Sequence, residues 1–412
     1  MDFGKTKIMV SALCLTSLLL SACGGGAGGG GGGVGGGASA PAATYSISAA
    51  VTGLAAGQSV TLLDDNGGNS ITVTTNGLTT LSNALSVGAA YIVTVDTQPA
   101  AQVCSVINGS GTVGTANVTV QVDCPSPAKY AYVANYGNNN VSQYTIGVSG
   151  ALTAMAPPTV AAGSAPTSVT VDPTGKYAYV TNYNSGSVSQ YTIGVSGALT
   201  AMAPPTVAAG SGASFVTVDP TGTYAYVANE TASGVSQYTI GAGGALIAMT
   251  PPTVTTGSNP YSDPISVAVD PTGKYTYVAN RGTNVVSQYA IGASGALTAM
   301  TPPTVATGFF PYSVTVDPTG KFAYVANYND NTVSQYTIGA SGALTAMTPP
   351  TVTTGAYPYF VTVDPTGKYA YIANYSAGTI SQYAIGVTGA LTANGVVVMT
   401  AGSGPVSIVL AP

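Results

Sequence analysis

The chain has 412 residues, with 8 Lys+Arg, 13 Asp+Glu, no His and a formal net charge of −5. That balance and the lack of a basic run argue against nucleic acid or an anionic membrane surface as partner. Without imidazole, neither a Ser-His-Asp triad nor a His-ligated metal centre can be built.

Residues 1–22 read as a leader. Lys5 and Lys7 form a positive start, and Ile8 to Leu20 is an apolar run too short to span a bilayer comfortably. The run ends in Leu20-Ser21-Ala22-Cys23, which resembles the lipobox of bacterial lipoproteins. The resemblance implies cleavage before Cys23 and acylation of that cysteine; an ordinary signal peptide is the alternative. Residues 23–43 are nearly all Gly, Ala and Ser, a coil that spans about 25 Å and serves as a tether. Gly24, where an Asp is absent, resembles lipoproteins sorted to an outer membrane. The expected location is therefore the cell envelope, with the lipid anchor as the only membrane contact.

Residues 44–124 carry short alternating runs at Tyr45–Val51, Ser59–Leu63, Ser70–Thr74, Tyr91–Val95 and Val118–Val122, separated by turn clusters. This spacing predicts a small β-sandwich. Cys104 and Cys124 bracket its last part and read as a disulfide in an oxidising compartment, the alternative being two free thiols. Val51-Thr52-Gly53-Leu54 and the Pro-x-x-Gln-x-Cys run ending at Cys104 resemble a domain that follows the anchor in many bacterial surface lipoproteins. No activity comes with that resemblance.

Residues 125–412 are a repeat. Tyr-Val-Ala/Thr-Asn starts at Tyr132, Tyr179, Tyr226, Tyr277 and Tyr324, and Tyr-Ile-Ala-Asn at Tyr371; the period is 47 residues, once 51. Strand and turn signals at that period predict propeller blades. Within a unit, strand a is expected at Ser168–Val171, b at Tyr177–Thr181, c at Val188–Ile193 and d from Ala198 toward Val207. Asp172-Pro173-Thr174-Gly175 makes the a–b turn. The chain enters at strand b, near Tyr130, and ends in Pro405–Pro412, which aligns with a strand a. The expectation is a six-bladed all-β propeller whose C-terminal strand closes the first blade. Here the chain resembles the YVTN-repeat propellers of bacterial and archaeal surface proteins and the related lactonase-like propellers, which have seven blades.

Repeated Asp, Asn and Gln positions read as scaffold, the Asn and Gln satisfying backbone groups between blades. Non-repeating residues concentrate on the face made by d–a and b–c loops. They are Glu230, Arg281 and Asp330 in b–c loops, and Tyr261, Asp263, Phe309, Phe310, Tyr312, Tyr357 and Tyr359 at or beside d–a loops. Aromatic residues and the odd charges on one face suggest binding of carbohydrate, peptide or protein, against simple drift of loops whose aromatics plug the channel. The reading is a monomeric, non-enzymatic binding or display module without cofactor or metal. The alternative, implied by the resemblance, is a lactonase-type hydrolase (6-phosphogluconolactonase-like) acting on a sugar lactone near Arg281 and Glu230.

Overall fold

The computed structural model describes residues 43–64, 68–99, 102, 104–124, 130–146, 151–257, 259, 261–393, 399–400 and 404–408. Cys23, the leader and nearly all of the tether lie outside them. The described residues form strands and turns, with no helix long and apolar enough to cross a membrane.

The first strands are β1 (Tyr45–Thr52), β2 (Val60–Asp64), β3 (Asn69–Val73), β4 (Gly77–Leu85), β5 (Ala90–Thr97), β6 (Ser105–Ile107), β7 (Ser110–Thr112) and β8 (Val118–Asp123). They make two four-stranded sheets, β4-β1-β8-β6 and β3-β2-β5-β7. One apolar cluster, with Ile47, Val60, Leu62, Val120 and Val122 fully buried, lies between them. Strands β4, β6 and β7 escape the sequence pattern. In β4, Leu78 is exposed while Leu81 is buried, as residues three apart face opposite sides of a strand, and two register shifts against β1 follow beyond Thr80. Cys104 and Cys124 are joined, across a sequence separation of 20. Gln102 ties this corner together: its Oε1 accepts the Ala55 amide, and its Nε2 donates to the carbonyls of Gly53 and Cys124. The two short motifs noted in the sequence therefore meet in space.

Six further sheets follow, one per repeat. Blade 2 shows the plan: a Pro166–Val171, b Tyr177–Asn182, c Ser187–Ile193 and d Leu199–Ala208, paired antiparallel in that order. Strand d covers the stretch expected of it and carries two prolines. Strand d sits at the sheet edge, and a register shift opposite strand c accommodates the prolines without breaking the ladder. In the turn, Asp172 Oδ1 accepts the amides of Lys176 and Tyr177, and Gly175 takes φ +69°. The Asp-Pro turns are scaffold.

Strand b explains how blades stack. Tyr179 faces the next blade, where its hydroxyl donates to Gly244 O at 2.6 Å; Ala178 and Val180 pack back on the preceding one. Tyr177 lies flat on the c–d turn of that next blade, so close that a Cβ at Gly244 would fall 2.2 Å from its ring. The strand c glutamine works across the same joint: Gln190 Oε1 accepts the Leu246 amide at 2.6 Å while Nε2 donates to Pro204 O at 3.1 Å. The tetrad asparagine does more than the expected bridging. Asn182 Nδ2 bonds Ser187 and Ser189 of its own b–c hairpin, while Asn229 Oδ1 accepts the Gly210 amide and Asn374 Oδ1 the Thr354 hydroxyl in the connections between blades.

The joint between the last and first blades differs from the other five. Leu199, Leu246, Leu297, Leu344 and Leu391 are each 6% exposed, but Leu152 is 57%. Val133 is 45% exposed where Val180, Val227, Val278 and Val325 are 0%. Gln382, instead of reaching an amide in another blade, donates to Tyr371 Oη at 3.4 Å. Gly404 has φ +65°, and the residue before every strand a is likewise in the positive-φ region, so Pro405 holds the position of Pro358. Yet Pro405–Ile408 are not in strand, Val409–Pro412 lie outside the described residues, and among the described residues strand b of blade 1 (Tyr130–Asn135) pairs with strand c alone. The closing pair expected between Val406–Leu410 and this strand is not formed by the described residues.

Candidate functional site

Strands a of successive blades adjoin one another, so they line the axis, and the d–a and b–c loops share one mouth. Three positions per blade face it. The first is the residue before strand a, in the left-handed region: Ala165, Gly212, Asp263, Phe310, Tyr357 and Gly404. The second is the second residue of strand a: Thr167, Ser214, Ile265, Tyr312, Tyr359 and, by alignment, Val406. The third follows the tetrad: Tyr136, Tyr183, Glu230, Arg281, Tyr328 and Tyr375.

Backbone bonds hold the first and third positions together. The amides of Tyr183, Glu230, Arg281, Tyr328 and Tyr375 donate to the carbonyls of Ala165, Gly212, Asp263, Phe310 and Tyr357. Phe310 and Tyr357 have φ of 55° and 54°, which costs a bulky residue about 1–3 kcal/mol. Their amides are held by Asn284 and Asn331 of the preceding blade, at 2.8 and 2.7 Å. Neighbouring blades thus over-determine the strained residues. Ala165 is held the same way by Asn139.

Repetition has an immediate consequence: residues one period apart occupy the same slot on adjacent blades. Glu230 and Arg281 are 51 residues apart, and Arg281 Nη2 meets Glu230 Oε1 at 2.6 Å. Asp263 Oδ2 stands 3.7 Å from the same nitrogen. The guanidinium lies 5.7 Å above the Tyr312 ring, with Nη1 3.4 Å from its hydroxyl. From Tyr312 the aromatic row continues to Tyr328 and Tyr359, each 4.7 Å between ring centroids. Tyr357 joins Tyr328 at 4.7 Å and Tyr375 joins Tyr359 at 5.9 Å. These four ring pairs are tilted and Tyr328 meets Tyr359 edge-on at 6.3 Å, geometries that suit the ring quadrupoles. A shallow hollow beside Tyr375 and Gly404 ends the row.

Electrostatics follow from that packing. Burial works against the Arg281 cation, but Glu230, the Tyr312 contact and Asp263 outweigh it and raise its pKa. Burial, then Tyr312 and Glu230, raise that of Tyr359, against the lowering by Arg281. Burial and the neighbouring phenols raise that of Tyr328. These phenols stay neutral at ordinary pH and offer hydroxyls and ring faces.

Of the residues expected from sequence, Glu230, Asp263, Arg281, Tyr312, Tyr357 and Tyr359 come together. Tyr261, Phe309 and Phe310 share the mouth but show no ring contact with the row, and Tyr261 is 75% exposed. Asp330 turns to a structural task, accepting the Phe309 amide at 2.6 Å. Sequence reasoning missed Tyr328 and Tyr375. Their signal was present, because they occupy the slot that holds Glu230 and Arg281 in other repeats.

A family model described as a lactonase, seven-bladed β-propeller, matches residues 71–352 and 346–408. No curated protein matches the chain. Among solved structures, a protein from Lactobacillus plantarum is 19% identical with a TM-score of 0.57, over 82% of this chain and 95% of that one. The periplasmic gluconolactonase of Pseudomonas aeruginosa is 18% identical with a TM-score of 0.56, over 85% and 99%. A Bacteroides fragilis structure provisionally assigned as a 6-phosphogluconolactonase is 19% identical with a TM-score of 0.56, over 82% and 94%. At these identities the likeness is one of fold. Six propeller sheets are described here against the seven blades of the family's description. The family match takes in the later part of the sandwich and the blades, and the chain belongs to the lactonase seven-bladed β-propeller family.

Proposed function

We propose that the chain hydrolyses a sugar lactone at the propeller mouth. The observation that carries this is a guanidinium held against a carboxylate at one end of a row of tyrosines. The rings would take the apolar face of a sugar, and the hydroxyls of Tyr312, Tyr328 and Tyr359 its polar edge. Water adds to the lactone carbonyl carbon, and the bond from that carbon to the ring oxygen breaks. The ring oxygen takes a proton to become a hydroxyl, and the aldonic acid releases one to solvent. Arg281 would face the oxyanion that develops, and Glu230 would accept the proton of the attacking water. Family membership supports the reaction class.

A second reading, binding and display of carbohydrate, peptide or protein without turnover, is favoured by one fact: Glu230 is tied to Arg281 at 2.6 Å, a poor state for a base. One experiment separates the two. The full chain is assayed on D-glucono-1,5-lactone with and without Arg281→Ala; enzyme-dependent hydrolysis lost in the variant supports the lactonase. Absence of hydrolysis, with sugar binding that disappears in Tyr312→Ala and Tyr359→Ala, supports display. Anchoring at Cys23 belongs to the same proposal. Palmitate labelling that persists in Cys23→Ser would remove it.

A further inference from the structure

Charge at the mouth selects among lactones. Its charged side chains among the described residues are Glu230, Asp263, Asp330 and Arg281, three carboxylates against one guanidinium. That guanidinium is already engaged by Glu230 at 2.6 Å, by Asp263 at 3.7 Å and by the Tyr312 hydroxyl at 3.4 Å. Lys176, Lys274, Lys321 and Lys368 belong to the a–b turns, at the far end of strands of six residues. A strand of that length is about 20 Å long, twice the screening length of about 8–10 Å at physiological ionic strength. Those lysines therefore cannot offset the mouth. No helix N-terminus is present among the described residues to hold an anion in their place.

We infer that the site takes an uncharged sugar lactone and rejects the same lactone carrying a phosphate. A phosphomonoester dianion would meet a net negative rim with no unengaged cation, whereas stacked phenols hold a neutral polyol ring without any ion pair. The same field drives out the aldonate, which gains a negative charge in the reaction. This inference rests on the lactone reading above for its substrate, but the charge selection stands on the geometry alone.

Two measurements on the full chain keep the two apart. Turnover of D-glucono-1,5-lactone is compared with that of its 6-phosphate, and binding of D-glucose with that of D-glucose 6-phosphate, which cannot react. The expected result is at least a ten-fold preference for the neutral member in kcat/KM and in Kd. The disparity should narrow at least three-fold in Asp263→Asn and as salt rises. Equal or better handling of the phosphorylated members overturns the inference while leaving the hydrolase intact. If neither lactone turns over, the hydrolase reading fails, and a ten-fold preference for glucose still supports charge selection. If, in addition, neither sugar binds, both readings are overturned.

Discussion

Blade-to-blade coupling through the strand c glutamine gives a prediction with its own internal control. Gln190 is 1% exposed, and Gln190→Leu would strand two groups: the Leu246 amide, 2.6 Å from Oε1, and the Pro204 carbonyl, 3.1 Å from Nε2. Leaving the buried Leu246 amide unpaired costs about 1–3 kcal/mol, losing the part-buried bond to Pro204 about 1 kcal/mol more, and the added apolar burial returns about 1 kcal/mol. The net loss is about 2 kcal/mol. For a domain of this size, that shifts Tm by roughly 3–4 °C. Gln382 is the control, since it reaches only Tyr371 Oη at 3.4 Å and no amide of another blade. Gln382→Leu should cost less than about 1 kcal/mol, the usual value for one weak hydrogen bond. Thermal melts followed by circular dichroism measure both. Equal destabilisation in the two variants would refute the reasoning, and would mean that the last blade docks on the first as the others dock on each other. A neutral Gln190→Leu would refute it differently, showing that blades are coupled by apolar packing alone.

Two further outcomes can be checked by denaturation. Gly244→Ala places a Cβ 2.2 Å from the Tyr177 ring at φ +81°, and should lower stability by about 2–5 kcal/mol from overpacking and left-handed strain together. Gly243→Ala, one residue earlier with nothing within 4 Å of its Cβ, should be nearly silent in the same urea titration. Burial pushes the phenols of Tyr238, Tyr289 and Tyr336 up to about 12 from 10.0. The folded state then holds protons that the unfolded state loses above pH 10, so their contribution is complete below that value. It falls as pH rises from 10 toward 12, by about 2–3 kcal/mol per phenol. Cooperative unfolding in that window, with a step in tyrosinate absorbance at the same pH, is expected; a chain still folded with all its phenols ionised would contradict it.

Much of the architecture was legible because a repeat states its own strand pattern six times. Tyr179 and Ala178 alternate across strand b, Asp172 and Gly175 mark the turn, and the period sets the blade. Such signals are local, and local hydrogen bonding enforces them wherever the strand sits. The candidate site was half legible: Glu230, Arg281 and Tyr312 stood out by breaking the pattern, whereas Tyr328 and Tyr375 hid among 27 tyrosines. What composition and spacing could not supply was adjacency between blades, which decides that Arg281 faces Glu230 and that five tyrosines form one row. The exposed Leu152 and Val133 at the joint of first and last blades are likewise tertiary facts. The physical reason is common to all of them. Residues far apart in sequence acquire partners only when sheets pack face to face, and at one joint the described residues leave that packing unmade.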